Sequence, residues 1–208
     1  MQLTGCLIYK LHYLFCLDSN VQISELTPAF FPAVVSLANA IHGDNYLNHA
    51  SLVAMHLQGI VKGINASFVA IDEQQQLIGY RLSFAAGQWQ PDRWCTEALW
   101  PVPCADMAYF KSVGVSAGQR GKGVASSLLQ ASVAALKQQG AKAGLAHIWR
   151  ESPGNAAQRY FSYAGAVLVK VHPQRWRHLS ETAGYYCPIC GALCNCSAAE
   201  MVLTFSAG

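Results

Sequence analysis

Residues 118–129 read GQRGKGVASSLL and place three glycines and two cations in their first six positions, ahead of a helix-forming run. Glycine permits backbone conformations that other residues avoid and lets a ligand approach the chain closely. Backbone N–H groups at a helix N-terminus bind anions, because they lie at the positive end of the helix dipole. Arg120 and Lys122 add local positive charge. The stretch therefore predicts a phosphate-binding loop.

The spacing of these glycines differs from that of two common phosphate-binding motifs. A Walker A motif needs glycine where Ser116 stands and serine or threonine where Gly123 stands. A dinucleotide-binding fingerprint would use Gly121 and Gly123, but Ser126 occupies its third position. That fingerprint also needs an acidic residue about 20 positions later, which this chain lacks. The loop fits neither motif.

A second group of reactive residues lies in the stretch YYCPICGALCNC, which holds four cysteines within ten residues: Cys187, Cys190, Cys194 and Cys196. The Cys-Pro-x-Cys-Gly part is typical of a knuckle that presents two thiolates to one metal ion. Four thiolates predict a closed, structural Zn²⁺ site. One alternative is that His172 or His178 replaces one thiolate, or that the fourth ligand comes from elsewhere in the chain. The others are that the thiols are simply reduced, or that they act in redox chemistry, for which the usual βαβ context is missing.

Hydrophobic periodicity and turn residues outline the elements that must position these groups. One strand, two helices and three strands precede the end of the glycine loop, and a helix, a strand, a helix and two strands follow it. The expected strands cover 21–23, 67–72, 76–84, 106–115, 143–149, 166–172 and 201–205. The first expected helix begins at Thr27–Pro28 and the second is capped by Ser51. The other two expected helices cover 124–140 and 155–164. Residues 173–200 form an insert before the last strand.

The loop also carries a family pattern. Arg120, Gly123 and Ala125 match Arg/Gln-x-x-Gly-x-Gly/Ala after a strand that ends in Val113-Gly114-Val115. In this pattern and in the order of its elements, the chain from about residue 20 to 172 resembles the GNAT superfamily of acyl-CoA-dependent N-acetyltransferases. The resemblance implies a three-layer α/β (α+β) fold with a mixed, mostly antiparallel sheet flanked by helices. The length of the chain favours one domain over 1–208, with 173–200 as an insert within it before the last expected strand.

The resemblance implies acetyl-CoA as co-substrate and direct acetyl transfer to a primary amine. Backbone groups of Val113 and Val115 would hold the pantetheine arm, and loop N–H groups would hold the pyrophosphate. The implied loop residues are Arg120, Gly121, Lys122, Gly123, Val124 and Ala125. An ammonium cannot attack a thioester, so the reaction needs a base for the amine and an acid for the departing thiolate.

The acid in this family is often a tyrosine on the helix after the fifth strand. Counting back from Gly165 puts Phe161 at that position, and Tyr160 lies one residue away, which on an α-helix is a rotation of about 100°. Either the helix start is shifted by one residue and Tyr160 is the acid, or Tyr160 is an ordinary half-buried tyrosine and water protonates the thiolate.

The base is sought among polar residues on the central strand and the loop before it. Asp106 is the main candidate, and Tyr109 and Glu97 are the others. His147 lies in an apolar strand and is expected to be a hydrogen-bonded core residue. The loop at 87–105, with its three tryptophans, is either an aromatic lid or a packed crossover.

The composition limits the classes of partner and compartment. Hydrophobic residues make up 52% of the 208 residues, and 14 Lys plus Arg against 11 Asp plus Glu give a net charge of +3, too small for a nucleic-acid surface. Lys10 and His12 interrupt the apolar first 17 residues, so we expect neither a signal peptide nor a membrane span. A cytoplasmic protein with reduced or metal-bound cysteines is therefore expected.

Together these features predict an N-acetyltransferase that acts on a small-molecule or peptide amine, with no nucleic-acid or membrane partner. A homodimer is compatible with the sequence. The alternative is a non-catalytic protein that binds acyl-CoA as a regulatory ligand and uses the cysteine knuckle as an interaction module.

Overall fold

A computed structural model describes residues 21–206. The strands are β1 (Gln22–Glu25), β2 (Ile60–Val61), β3 (Ile64–Asn65), β4 (Phe68–Ile71), β5 (Leu77–Phe84), β6 (Met107–Val115), β7 (Ala143–Trp149), β8 (Val167–His172) and β9 (Ala198–Thr204). The helices are α1 (Phe31–His42), α2 (His49–Gln58), α3 (Val124–Gln139), α4 (Ala156–Tyr163) and α5 (Arg177–Thr182).

Seven of the strands form one mixed sheet in the order β1-β4-β5-β6-β7-β9-β8, and β2 pairs with β3 in a separate hairpin. Every neighbouring pair in the large sheet is antiparallel except β6 and β7. Strand β9 comes last in the sequence but lies between β7 and β8. The mostly antiparallel sheet expected from the sequence is confirmed.

Alternate residues of β5 show that helices cover both faces of this sheet. Tyr80 and Leu82 belong to the core cluster of α1 and α2. Gly79 lies against Val124 and Leu128 of α3, and the Ser83 hydroxyl lies 2.7 Å from that of Ser132 on the same helix. Because successive residues of a strand point to opposite faces, α1 and α2 lie on one face and α3 on the other.

The central feature of the sheet is the parting of β6 and β7. The two strands pair over only three residues each, Met107–Tyr109 with Ala143–Leu145. A register shift against β5 leaves Lys111 as the extra residue of a bulge just beyond this pairing. The Phe110 ring covers Gly144 so closely that a Cβ atom there would lie 2.3 Å from it. The C-terminal ends of both strands lie at the same edge of the sheet and leave a gap between them.

The loop at 87–105 is a packed crossover. The indole of Trp89 donates to the Met107 carbonyl (2.7 Å), and the indole of Trp100 donates to the Glu200 carboxylate (2.8 Å). Glu200 is fully buried and also accepts from the Thr96 N–H and from His172 (2.8 Å each). Burial alone would raise the pKa of this carboxyl, but the N–H donors hold the pKa below its usual value.

Three element boundaries differ from the sequence predictions by three residues, and the other predicted boundaries differ by at most two. Asn48, not Ser51, caps α2, and Ser51 is the third residue of the helix, where the two residues form a reciprocal capping box. Strand β9 begins at Ala198 instead of 201, so the insert is 173–197. Thr27–Pro28 opens a short 3₁₀ turn, and α1 begins only at Phe31.

Within residues 21–206, no helix is long and apolar enough to cross a membrane. The apolar first 17 residues, on which the expectation about a signal peptide depends, lie outside the described residues.

We predict that Gly144→Ala destabilises the fold, because the new methyl group meets the Phe110 ring. Overpacking of this kind costs about 1–3 kcal/mol of unfolding free energy. Gly118→Ala is the control, since φ at Gly118 is not positive and nothing lies within 4 Å of a Cβ there. Urea denaturation measures both variants, and equal stabilities would contradict the close contact.

Candidate functional site

A cavity of about 960 Å³ opens where β6 and β7 diverge. Its wall is built from the glycine loop, the C-terminal parts of β6 and β7, helix α4, the end of α1 and the insert. Both faces of the sheet therefore contribute to one cavity at the gap.

The glycine loop presents free backbone donors to this cavity. Gly121 (φ 78°) and Gly123 (φ 83°) adopt left-handed conformations, and Gly123 is the N-cap of α3. The bond from the Ser127 N–H to the Gly123 carbonyl (3.0 Å) is the first of the helix. Within residues 21–206, the N–H groups of 121–126 donate to no acceptor. Such a row of donors fits a phosphate or pyrophosphate group.

The structure brings seven of the eight sequence-predicted coenzyme residues to the cavity wall: Val113, Val115, Arg120, Gly121, Gly123, Val124 and Ala125. The exception is Lys122, whose ammonium group contacts the Gln119 side chain (3.1 Å) at the surface. The Arg120 Nε–H donates to the Val115 carbonyl (3.2 Å), which ties the loop to the end of β6.

Tyr160 lies in the cavity wall, and Phe161 does not. Phe161 is fully buried and packs edge-on against Phe110, with ring centroids 5.5 Å apart. Asn155, in a left-handed conformation, is the N-cap of α4. Phe161, at the position where the family pattern expects the acid, is thus in the core, and Tyr160 faces the cavity.

The Tyr160 hydroxyl accepts a hydrogen bond from the guanidinium of Arg81. Arg81 is 1% exposed, its charge lies 5.0 Å from the centre of the Phe110 ring, and no carboxylate within residues 21–206 pairs with it. Burial raises the pKa of Tyr160, and the Arg81 charge opposes this shift without cancelling it. Tyr160 is therefore protonated at neutral pH.

Asp106 lies outside the cavity. It precedes β6 at the end where β6 and β7 still pair, and its carboxylate forms an ion pair with Lys142 (2.7 Å). Glu97, on a short 3₁₀ turn, is not in the cavity wall either. Neither carboxylate is positioned to take a proton from a substrate in the cavity.

Tyr109 and His147 form a hydrogen-bonded pair in the cavity wall. The Trp94 carbonyl can only accept, so the bond from His147 Nε2 to it (2.8 Å) places the ring proton on Nε2. Nδ1 then accepts from the Tyr109 hydroxyl (3.0 Å). Burial lowers the pKa of His147 to about 4 and raises the pKa of Tyr109. His147 is hydrogen-bonded as expected, but the sequence did not place it at the cavity.

Sequence reasoning also missed a charged group at the bulge. Lys111 lines the cavity with its side chain exposed, and partial loss of hydration in the cavity and the nearby Arg175 lower its pKa. Arg175 is in turn paired with Asp92 (2.8 Å) and lies over the Trp94 ring. Asp92 and Arg175 stand 83 positions apart in the chain, so no local pattern could have joined them.

The four knuckle cysteines come together as predicted. Their sulfur atoms all lie within 4.8 Å of one another. His172, an alternative ligand, instead binds the Glu200 carboxylate. His147, His172 and Glu200 form a second close group, but hydrogen bonds already occupy both ring nitrogens of His147, both Glu200 oxygens and His172 Nε2. That group is therefore a polar network.

Residues 34–166, well over half of the chain, match the acetyltransferase (GNAT) family. The chain belongs to this family. The seven-stranded sheet with its parted central strands is the GNAT fold, and the glycine loop is the pattern by which the sequence resembled the family. No curated protein shows significant sequence similarity to the chain.

Solved GNAT structures share this fold at low sequence identity. Ard1 from Thermoplasma volcanium matches with a TM-score of 0.63 and 13% identity, covering 90% of this chain and 99% of its own. The ribosomal-protein-S18-alanine N-acetyltransferase from Escherichia coli gives 0.61 and 13%, covering 90% and 96%. The structure of yncA from Salmonella typhimurium with its cofactor acetyl-CoA gives 0.63 and 16%, covering 91% and 96%.

We predict that Gly123→Val abolishes acetyl-CoA binding, because a β-branched residue cannot hold the left-handed cap that aims the loop N–H groups. Gly140→Val is a matched control: Gly140 is left-handed (φ 102°) at the other end of the same helix, with nothing within 4 Å of a Cβ. Both variants carry similar backbone strain, but only the first alters the loop. Calorimetric titration measures binding, and retained affinity in Gly123→Val would contradict the assignment.

Proposed function

We propose that this GNAT protein transfers an acetyl group from acetyl-CoA directly to a primary amine. The observation that carries the proposal is the row of free N–H donors at the start of α3, which opens into the cavity between β6 and β7. Family membership supports the same chemistry. In the reaction the amine attacks the thioester carbonyl, the C–S bond breaks, the amine nitrogen loses a proton and the sulfur gains one.

The glycine loop and β6 would hold the coenzyme. N–H groups from Arg120 to Ala125 would bind the pyrophosphate, and Arg120 would add a positive charge. Beyond Tyr109, β6 has no strand partner on its β7 side. The carbonyls of Val113 and Val115 already accept from other side chains, Val113 from His42 (3.3 Å) and Val115 from Arg120 (3.2 Å). The N–H groups of Val113 and Val115 would therefore serve the pantetheine arm, and a β6 N–H beside the gap would polarise the thioester carbonyl.

Tyr160 would protonate the departing sulfur. Its oxygen accepts from Arg81, which leaves its own proton free to be donated. The tyrosinate that forms would lie against a buried guanidinium with no carboxylate partner among the described residues. A buried cation without a counter-ion is costly, and a developing anion beside it would offset that cost.

Tyr109 and His147 would orient the amine. The Tyr109 hydroxyl donates to His147, so its oxygen is free to accept an N–H from the acceptor. With a pKa of about 4, His147 is uncharged at neutral pH and does not take up a second ring proton. We therefore assign the pair to positioning, with the ammonium proton passing to water in the cavity, and Asp106 has no role in this scheme.

The experiment that tests the function is release of free CoA thiol with a panel of primary amines, including amino acids, polyamines and peptide N-termini. We expect thiol release that depends on both the amine and acetyl-CoA, with one acetylated amine formed for each thiol. Tight acetyl-CoA binding with no thiol release on any amine would support the regulatory-ligand alternative. No binding of any CoA species would contradict both.

We predict that Tyr160→Phe lowers kcat about a hundredfold, the lower end of what a general acid contributes. The affinity for acetyl-CoA should change little, because the phenyl ring keeps the packing of α4. Tyr186→Phe, at an exposed tyrosine on the insert, is the control. Steady-state kinetics and calorimetry separate the two effects. An unchanged kcat, or a loss confined to binding, would make Tyr160 a packing residue only.

A further inference from the structure

The insert, residues 173–197, has very little apolar core of its own. Its buried residues are Cys187, Cys194 and Cys196, each 1–2% exposed, with three partly buried aromatic residues packed against them. Its one helix, α5, has six residues. Segments this small do not hold a shape by burial alone and usually depend on a metal or disulfides. The cysteines here are free thiols.

The sulfur positions match a tetrahedral metal site. Zinc–sulfur bonds of about 2.3 Å place thiolates about 3.8 Å apart at the corners of a tetrahedron. The Cys196 sulfur lies 3.7 Å from that of Cys187 and 3.5 Å from that of Cys190, and all four sulfurs lie within 4.8 Å of one another. The four cysteines thus supply a complete ligand set without a histidine.

The backbone around the first cysteine pair supports the charge that thiolate ligands carry. The Cys190 N–H donates to the Cys187 sulfur (3.5 Å), and the Asn195 N–H donates to the Cys190 sulfur (3.4 Å). Cys187 and Gly191 exchange two backbone hydrogen bonds of 2.9 Å, which close the turn. Hydrogen bonds to ligand atoms of this kind orient the ligands of a metal site.

Hydrogen bonds connect these cysteines directly to the cavity wall. The Cys196 carbonyl accepts from the Arg175 N–H (3.1 Å), and the Cys194 N–H donates to Ser180 on α5 (3.1 Å). Arg175, Cys194 and Cys196 all line the cavity, as does Leu179 of α5. The position of this wall therefore depends on the position of the cysteines.

The insert packs on the α1 side of the gap. The Tyr185 hydroxyl donates to the His42 carbonyl at the end of α1 (2.8 Å). A Cβ on Gly43 would lie 2.2 Å from the Tyr186 carbonyl, so the two segments are in close contact. The glycine loop leads into α3, which covers the opposite face. The glycine loop and the insert are thus separate walls of one cavity.

We propose that Cys187, Cys190, Cys194 and Cys196 bind one Zn²⁺ in a closed structural site, and that this metal holds the insert in place as the acceptor-side wall of the cavity. The second part rests on the proposed acetyl transfer. Since the glycine loop lies on other elements, zinc is needed for use of the amine but not for binding of acetyl-CoA.

The metal site is tested on the purified full chain by elemental analysis. We expect about one zinc per chain, as a closed four-thiolate site requires. The metal should be lost in the double variant C187S/C190S and kept in C104S, which changes a half-buried cysteine outside the cluster. A chain loaded with Co²⁺ gives a second readout that needs no variant, the thiolate-to-cobalt charge-transfer and d–d bands of a tetrahedral site. A folded wild-type chain that binds neither metal would overturn the proposal.

The role of the zinc-bound insert as the acceptor-side wall is tested by comparing the zinc-loaded wild-type chain with the same chain after treatment with a chelator. Without zinc, kcat/KM for the amine should fall at least about tenfold, while the Kd for acetyl-CoA stays within about threefold. Loss of acetyl-CoA binding as well would refute the separation of the two walls, and unchanged amine kinetics would refute the role of the metal. Zinc binding in a chain that never acetylates an amine would leave the metal site standing and reject the proposed function.

Discussion

The parting of β6 and β7 is the constraint on which the site depends. Two parallel strands that paired along their full length would leave no free backbone groups between them, because buried N–H and C=O groups are almost always paired. Here the pairing stops after three residues, and the bulge at Lys111 and the Phe110 ring over Gly144 mark the point where it stops. The unpaired edges can then face a ligand, and the cavity connects both faces of the sheet.

The polar side chains at this gap include a buried positive charge that no carboxylate among the described residues neutralises. Arg81 carries this charge, and it donates to the Tyr160 hydroxyl. Tyr109 donates to His147, which in turn donates to the Trp94 carbonyl. A fully neutralised network would stabilise the fold more, since an unpaired buried charge is costly. In the proposed reaction, this positive charge would stabilise the anion that forms when Tyr160 gives its proton to the departing thiolate.

Functional groups whose residues lie within about ten positions of one another could be predicted from the sequence. Side-chain contacts between distant strands could not. The glycine spacing and the cysteine spacing are local, and both groups assemble as expected. The Tyr109–His147 contact joins positions 38 apart, so only the fold reveals it. Asp106 was a poor candidate for a geometric reason: a nine-residue strand is roughly 30 Å long, and Asp106 lies at the end away from the glycine loop. Whether Tyr160 or Phe161 faces the cavity depends on the rotation of α4 by one residue, about 100°, which the sequence pattern did not fix.

The position of β9 explains how the sheet accommodates the insert. His172 and Ala198, which flank the insert, are paired across β8 and β9. The sheet therefore fixes both ends of the insert. Pairing of β8 with β9 brings these ends together, so ordering the insert does not have to offset the loss of entropy on closing the loop. What remains is to order the segment between these two ends, which the proposed four-thiolate zinc site would do. Because β9 also pairs with β7 up to Trp149, at the edge of the gap, an excursion that starts there lies beside the cavity. The insert therefore contributes a wall of the cavity from β8 and β9, whereas the glycine loop connects β6 to α3.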